Sequence, residues 1–377
     1  MNVVEAGTVA LGHLRRRWPQ AQADVFVAES RMRSSEWSEG LPENQELTRS
    51  HGIGVRVIND GRLGFGHANR LESAALDALA DRVTAAARFT AQDPWLGVAP
   101  PAAGAGDPSP DLQLVDSSLT EETWPGRSAF LESIERDVRS RDKRLTKVLR
   151  ASYREGRSRC GIQNTSGVSA SYEATQVSFS MACVAVDQGE TQIGYGFQAV
   201  RHFRDLNIPW VLDKAVEGAL SLLGGRQIPS GRYDLVLDPW VAAEMLELFA
   251  HALRADQVQK GRSFLGDKKG RRIASAAVEL VDDARLPRGL GSSPVDAEGQ
   301  PTTRRVLVQD GVLQGFLYDV YTARKENASS TGNAGRGSYK AMPEPEASNF
   351  FLKAGSQTPE KLIAGIDNGL FVRHVMG

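Results

Sequence analysis

The stretch DLVLDPWVAAEMLELFAHALRADQVQKGRSFL, residues 234–265, decides the reading of the chain. Leu235, Val236 and Leu237 form an apolar strand. Asp238 then offers an N-cap and Pro239 a first helical residue, so a helix is predicted from Pro239. Its apolar positions Val241, Ala242, Met245, Leu246, Leu248, Phe249, Ala252 and Leu253 take up well over half the circumference, which predicts a largely buried helix. Glu247 and His251 lie four residues apart on one face, and their plainest reading is a hydrogen-bonded pair.

Working outward, the helical pattern Val211–Leu223 is closed by Gly224 and Gly225. That places a domain boundary near Gln227, with an N-terminal α+β domain over 1–227 and a C-terminal β-rich domain over 228–377. Within the first, residues 1–20 predict a short amphipathic helix and Ala23–Glu29 a strand. Gly54–Ile58 and Arg62–Gly66 flank Asn59-Asp60-Gly61 as a hairpin. Leu71–Phe89 predicts a helix packed on that hairpin. Residues 93–110 are Pro, Gly and Ala rich and read as an exposed flexible linker. A helix at about Gly126–Arg139 and an antiparallel meander over Arg144–Val200 complete the domain. Gly52-x-Gly54 is no dinucleotide fingerprint, because a strand and a turn follow it and the third glycine is missing. Cys183 alternates with core positions and Cys160 sits on a half-buried strand, so neither reads as a nucleophile.

In the second half, Ala276–Asp282, the hairpin Arg305–Leu317 turning at Asp310-Gly311, and Ser338–Phe351 read as strands. Pro343 and Pro345 make the last a sheet edge. Asp296 and Glu298 read as a solvated turn rather than paired catalytic acids. Thr358-Pro359 starts a closing helix. The 377 residues carry a formal charge of −1, which gives no electrostatic reason to expect nucleic acid or an anionic membrane as partner. Two cysteines exclude a disulfide framework. With no signal-peptide pattern and no long apolar run, a cytoplasmic protein is expected.

The 234–265 stretch resembles the TldD/PmbA family, once called modulators of DNA gyrase, whose catalytic members are zinc metalloproteases with His-Glu-x-x-x-His on a buried helix. Counted back from Lys260-Gly261-Arg262-Ser263-Phe264, the second His of that pattern falls on His251, its Glu on Glu247 and its first His on Leu246. Leu286–Gly299, with Asp296-x-Glu298-Gly299, and Thr331–Gly335 are further matches in the family's order. The resemblance implies an α+β N-terminal domain with an antiparallel sheet and a barrel-like C-terminal domain with a buried helix at its start. Catalytic relatives add a cysteine ligand near the C-terminus, and this chain stops at Gly377 before that segment, so a shortened or cut C-terminal domain is expected.

Leucine cannot bind zinc, and catalytic zinc takes three protein ligands. Two ligands five positions apart diverge by about 140° on a regular helix and call for a local π-type widening. Leu246, Glu247 and His251 therefore form a degenerate motif, with no metal and no catalytic residue expected in this chain. The resemblance then implies a TldE-like, non-catalytic subunit of a heterodimer whose TldD-like partner holds the zinc, acting on unfolded peptides or leader peptides. Lys260, Gly261, Arg262, Ser263, Phe264, Gly332 and Asn333 are the expected contacts to peptide or partner. A stand-alone peptide-binding homodimer and an independent zinc peptidase are the competing readings.

Overall fold

A computed structural model describes residues 1–101 and 111–375. The chain opens with α1 (Val3–Arg17), whose Asn2 side chain accepts from the Val4 and Glu5 N–H groups while Glu5 reaches back to the Asn2 N–H. Then come β1 (Gln22–Ser38), β2 (Leu41–Asn59), β3 (Arg62–Ala68) and α2 (Ser73–Ala87). After the undescribed residues lie α3 (Trp124–Ser128), α4 (Ile134–Arg139), β4 (Leu145–Asn164), β5 (Ser169–Asp187), β6 (Glu190–Val200) and α5 (Ile208–Leu222). The six strands form one antiparallel sheet in the order β3-β2-β1-β4-β5-β6. The pairing of β1 with β4 joins its two halves.

The Asn59-Asp60-Gly61 turn forms as expected. Asp60 and Gly61 both take positive φ, 50° and 70°, which suits a two-residue hairpin loop. Helices cover one face of the sheet at both ends. α1 and α2 bury Val25, Val27, Ile53, Val55 and Val57, while α3, α4 and α5 bury Ala151, Tyr153, Val177 and Phe179. Glycines set the closest approaches. A Cβ at Gly64 would stand 1.9 Å from the Val83 carbonyl oxygen of α2, and one at Gly194 would stand 1.8 Å from the Ala215 oxygen of α5.

The remaining elements are β7 (Asp234–Leu237), α6 (Pro239–Ala252), α7 (Ala255–Gln259), β8 (Leu280–Asp283), β9 (Arg304–Gln309), β10 (Val312–Leu313) and α8 (Val320–Lys325). β11 (Ala334–Gly335), β12 (Glu344–Pro345), β13 (Phe350–Leu352), α9 (Pro359–Ala364) and β14 (Gly369–Val372) follow. They build a sheet in the order β10-β9-β8-β13 and the two-stranded pairs β11-β12 and β14-β7, the last parallel. A core of Leu253, Leu265, Leu280, Leu307, Leu313, Phe316 and Leu317 lies beneath α6.

Several expectations are corrected. α6 is not a buried helix. Only Val241 and Ala252 are fully buried within it, and Leu248 is 70% exposed. The core beneath can cover one stripe, Leu246 and Phe249, which leaves Trp240, Met245 and Leu248 uncovered among the described residues. The expected helix over 126–139 is interrupted by a 3₁₀ turn at Ala129–Glu132. β1 continues nine residues past Glu29, to Ser38, because pairing with β2 and β4 persists where the apolar alternation fades. The strand expected over Ser338–Phe351 shrinks to β12 and the start of β13.

The Pro-rich linker is described only up to residue 101, and there Gly97, Val98 and Ala99 are buried, with Ala99 against Val168 and Val320. Residues 102–110 lie outside the described residues.

Replacing Gly194 by Val forces a side chain into the α5 backbone, and overpacking of this kind costs about 1–3 kcal/mol or more. A thermal unfolding midpoint several degrees below wild type is expected. An unchanged midpoint would contradict the packing of α5 on β6.

Candidate functional site

Asp238 caps α6 by accepting from the Trp240 N–H at 3.0 Å, with Pro239 in the first turn. The helix is regular α throughout, so successive side chains fan out at about 100°. Leu246 packs toward the core with Phe249, while Glu247 and His251 stay exposed. No hydrogen bond or ion pair joins Glu247 to His251, and the expected pair does not form. Both instead line a cleft of about 670 Å³ between α6 and β13, with Phe350, Phe351 and Leu352 on the opposite wall. Among the described residues β13 pairs with β8 alone and is the border strand of its sheet, packed near α6.

The 260–264 turn divides into inward and outward residues. Ser263 Oγ donates to the Ala252 carbonyl at 2.6 Å and accepts from the Leu265 N–H at 3.1 Å, locking the end of α6. Lys260 reaches Asp256 at 2.8 Å. Gly261 takes φ +67° and ends α7, and Arg262 is exposed beside it. Phe264 is 66% exposed and meets Phe249 edge-on at 5.9 Å.

Gly332 and Asn333 lie on a second pocket of about 260 Å³, which shares Glu346, Ala347 and Ser348 with the α6 cleft. Asn333 is 6% exposed, and its Nδ2 donates to Asp282 Oδ2 at 2.7 Å. Ser348 donates to the other Asp282 oxygen through its N–H and Oγ, at 2.6 and 2.9 Å. Burial raises the Asp282 pKa, opposed by these three donors. Gly332 has φ +72°, and a Cβ there would meet the Pro301 carbonyl oxygen at 2.4 Å.

Asp296 and Glu298 are not a solvated turn. They are 5% and 2% exposed and belong to a charge cluster that joins the two halves of the chain. Arg56 of β2 donates to Asp24 of β1 at 2.6 Å and to Glu298 Oε1 at 2.9 Å. Arg336 donates to the other Asp24 oxygen at 2.9 Å. Asp296 accepts from the Glu298, Gln300 and Ala334 N–H groups, and Glu298 Oε2 accepts from the Val320 N–H.

The two guanidinium groups thus meet Asp24 and Glu298, with Asp296 and the α8 cap Asp319 close to Glu298. Asp24, touched by both arginines, is held below the usual range despite its burial. Glu298 shares Arg56 with Asp24 and feels Asp319 and Asp296. Burial, reinforced by those neighbours, pushes it up to about 7, and burial pushes Asp296 up to about 6. Composition and spacing did not expose this cluster. One signal was available in Arg56, a charge in the otherwise apolar strand Gly54–Ile58.

Among the described residues no three His, Cys, Asp or Glu side chains are grouped to hold a metal. On α6, Glu247 and His251 offer two donors where a catalytic zinc takes three, and Leu246 adds hydrocarbon. The α6 residues therefore do not fit zinc as they stand. Cys160 and Cys183 are both free and buried, and burial pushes each thiol up to about 11, so neither is a ready nucleophile.

An antiparallel sheet layered with helices, docked on a β-rich region that opens with a strand, a capped helix and a cleft, defines a chain of the metallopeptidase-like PmbA/TldD class, and the chain belongs to that family. Family profiles described as PmbA/TldA metallopeptidase domain 1, central domain and C-terminal domain match residues 23–87, 117–223 and 230–377. The chain is 30% identical over 367 residues to a protein named Metalloprotease from Methanothermobacter thermautotrophicus, covering 94% of this chain and 77% of that one. It is 28% identical over 370 residues to the Metalloprotease TldD homolog of Haemophilus influenzae, covering 94% and 75%. TldE from Thermococcus kodakarensis has the same fold, with a TM-score of 0.85 at 22% identity over 98% of this chain and 83% of the other. No helix among the described residues is long and apolar enough to cross a membrane.

Glu298 and Asp296 have folded pKa values raised above their ordinary ones, so the stability they contribute is full below about pH 4 and is lost as pH rises through about 6 to 7. Glu298→Gln removes one of these titrations and leaves one donor facing another at the Val320 N–H or Arg56, at a cost of about 1–3 kcal/mol. The variant should melt lower at pH 5 and lose less stability than wild type between pH 5 and 8. Parallel pH profiles for the two proteins would contradict a titrating Glu298.

Proposed function

We propose that this chain is a TldE-like, non-catalytic subunit of a TldD/TldE-type zinc metalloprotease, working in the cytoplasm. It would shape the path of an extended peptide while a TldD-like partner supplies the zinc and the hydrolysis. The observation that carries the reading is Leu246, a core-packed hydrocarbon at the place where the catalytic pattern needs an imidazole. Glu247 and His251 then face the cleft without a third donor on the helix.

The cleft supports a peptide ligand on physical grounds. β13 lines it and is the border strand of its sheet among the described residues, and an extended chain can add to such an edge through main-chain hydrogen bonds that do not read side chains. This accommodates varied sequences, as unfolded or leader peptides require. The exposed side chains Trp240, Met245, Leu248 and Phe264 offer apolar surface on the same helix and its following turn for a partner subunit.

Mixing the purified chain with a TldD-like protein should yield peptidase activity that survives Glu247→Ala here. Elemental analysis of the isolated chain should find well under one zinc per molecule. Loss of turnover in Glu247→Ala with assembly intact, or stoichiometric zinc in the isolated chain, would contradict the assignment in favour of an independent zinc peptidase. A stable homodimer that ignores the partner in native mass measurements would favour the stand-alone peptide-binding reading.

A further inference from the structure

Between the two helical layers on the large sheet lies a half-exposed strip. Side chains alternate faces along a strand, so the face that carries Val25 and Val27 also carries Glu29, Arg31 and Arg33 of β1. The register adds Arg49 and His51 of β2 and Arg157 and Arg159 of β4 to the same face. Arg31 stands directly opposite Arg49 on one side and Arg157 on the other, three arginines in line across three strands. Neighbouring strands are about 4.8 Å apart, and like charges placed opposite each other destabilise a sheet. Among the described residues no hydrophobic core covers the row.

The native carboxylates neutralise it only in part. Arg31 is paired with Glu121, and Arg157 and Arg159 share Glu173. Arg33 lies over the Trp124 ring at 5.4 Å, and Arg49 has no carboxylate partner among the described residues. Two adjoining clefts of about 260 and 320 Å³ both include Arg31 and Arg157, so the row forms the floor of a continuous groove. Beside Arg49 the outer edge of β2 has no strand partner among the described residues. β3 pairs only with Ile53–Asn59, and residues 41–51 are exposed.

We propose that this groove binds an acidic stretch of extended peptide, whose carboxylates bridge Arg49, Arg31 and Arg157 while the outer edge of β2 offers main-chain hydrogen bonds. The proposal rests on the peptide-binding reading above and gives it a substrate class. Guanidinium forks match carboxylates through paired hydrogen bonds. A nucleic acid strand fits less well, because carboxylates are interspersed along the floor and neither cleft is lined by a Phe, Tyr or Trp ring, which leaves His51 alone for base stacking. Glu121 occupies Arg31 as an incoming carboxylate would, and therefore competes with it.

The test uses fluorescein-labelled octaglutamate and the full chain alone, read by anisotropy. Binding is expected to weaken about tenfold when salt rises from about 50 to about 300 mM. The double variant Arg49→Glu, Arg157→Glu should weaken it about tenfold or more, and Glu121→Gln, which frees Arg31, should tighten it about two- to fivefold. A structural ion pair alone gives no such tightening. An oligothymidylate of equal charge that binds as tightly as octaglutamate overturns the proposal, as does unchanged affinity in the charge-reversed variant. Should that variant fail to fold, Glu121→Gln decides, and unchanged or weaker binding overturns the proposal. The measurement needs neither partner nor turnover, so its failure leaves the heterodimer reading standing, and a failed reconstitution leaves the groove standing.

Discussion

The guanidinium of Arg56, 2% exposed and held between Asp24 and Glu298, is the constraint on which the rest of the structure depends. It sits in β2 of the large sheet and reaches a carboxylate of the C-terminal part, 242 positions further along the chain. Arg336 makes the reverse connection, from the C-terminal part to Asp24 in β1. Removing one partner from a buried charge network costs several kcal/mol because the others remain desolvated and unpaired. The network is thus a poor source of net stability and a strong determinant of how the two halves fit together.

What the clamp positions is the candidate site. Asp296 accepts from the Ala334 N–H, one residue after Asn333, and Asn333 in turn holds Asp282, which fixes Ser348. Ser348 lies where the Asn333 pocket meets the α6 cleft, two residues before β13 begins. A chain of buried and half-buried hydrogen bonds therefore runs from the N-terminal sheet to the strand across the cleft from Glu247 and His251. The side chains expected to touch peptide or partner fall on both sides of it, with Gly332 and Asn333 in the supporting structure and Lys260, Arg262 and Phe264 on the exposed turn.

The local chemistry of the fold was largely legible in the residues. The caps at Asp238 and Thr358, the Asp60-Gly61 turn, the helix before Gly224 and the alternation in β5 each depend on neighbours within a few positions, and each appears where expected. Relations among distant segments were not legible. Buried Glu298 finds its counter-charge in Arg56 and buried Asp296 a donor in the Ala334 N–H, both far away in sequence, and a short acidic run by itself reads as a turn. The exposure of Leu248 was equally hidden, because periodicity reports which residues could be covered and not how much surface exists to cover them. The arginine row emerges only after the β1 register is known, since Arg31, Arg49 and Arg157 are separated by long stretches of chain.

Hydrogen–deuterium exchange on Arg56→Met tests the central claim most directly, since the substitution keeps the hydrophobic bulk and removes the shared donor. The account predicts faster exchange together in residues 294–302, 318–322 and 333–336, with the β4–β5 core of the large sheet unchanged. Wild-type protection throughout those C-terminal segments would contradict the claim that Arg56 holds the two halves of the chain in register.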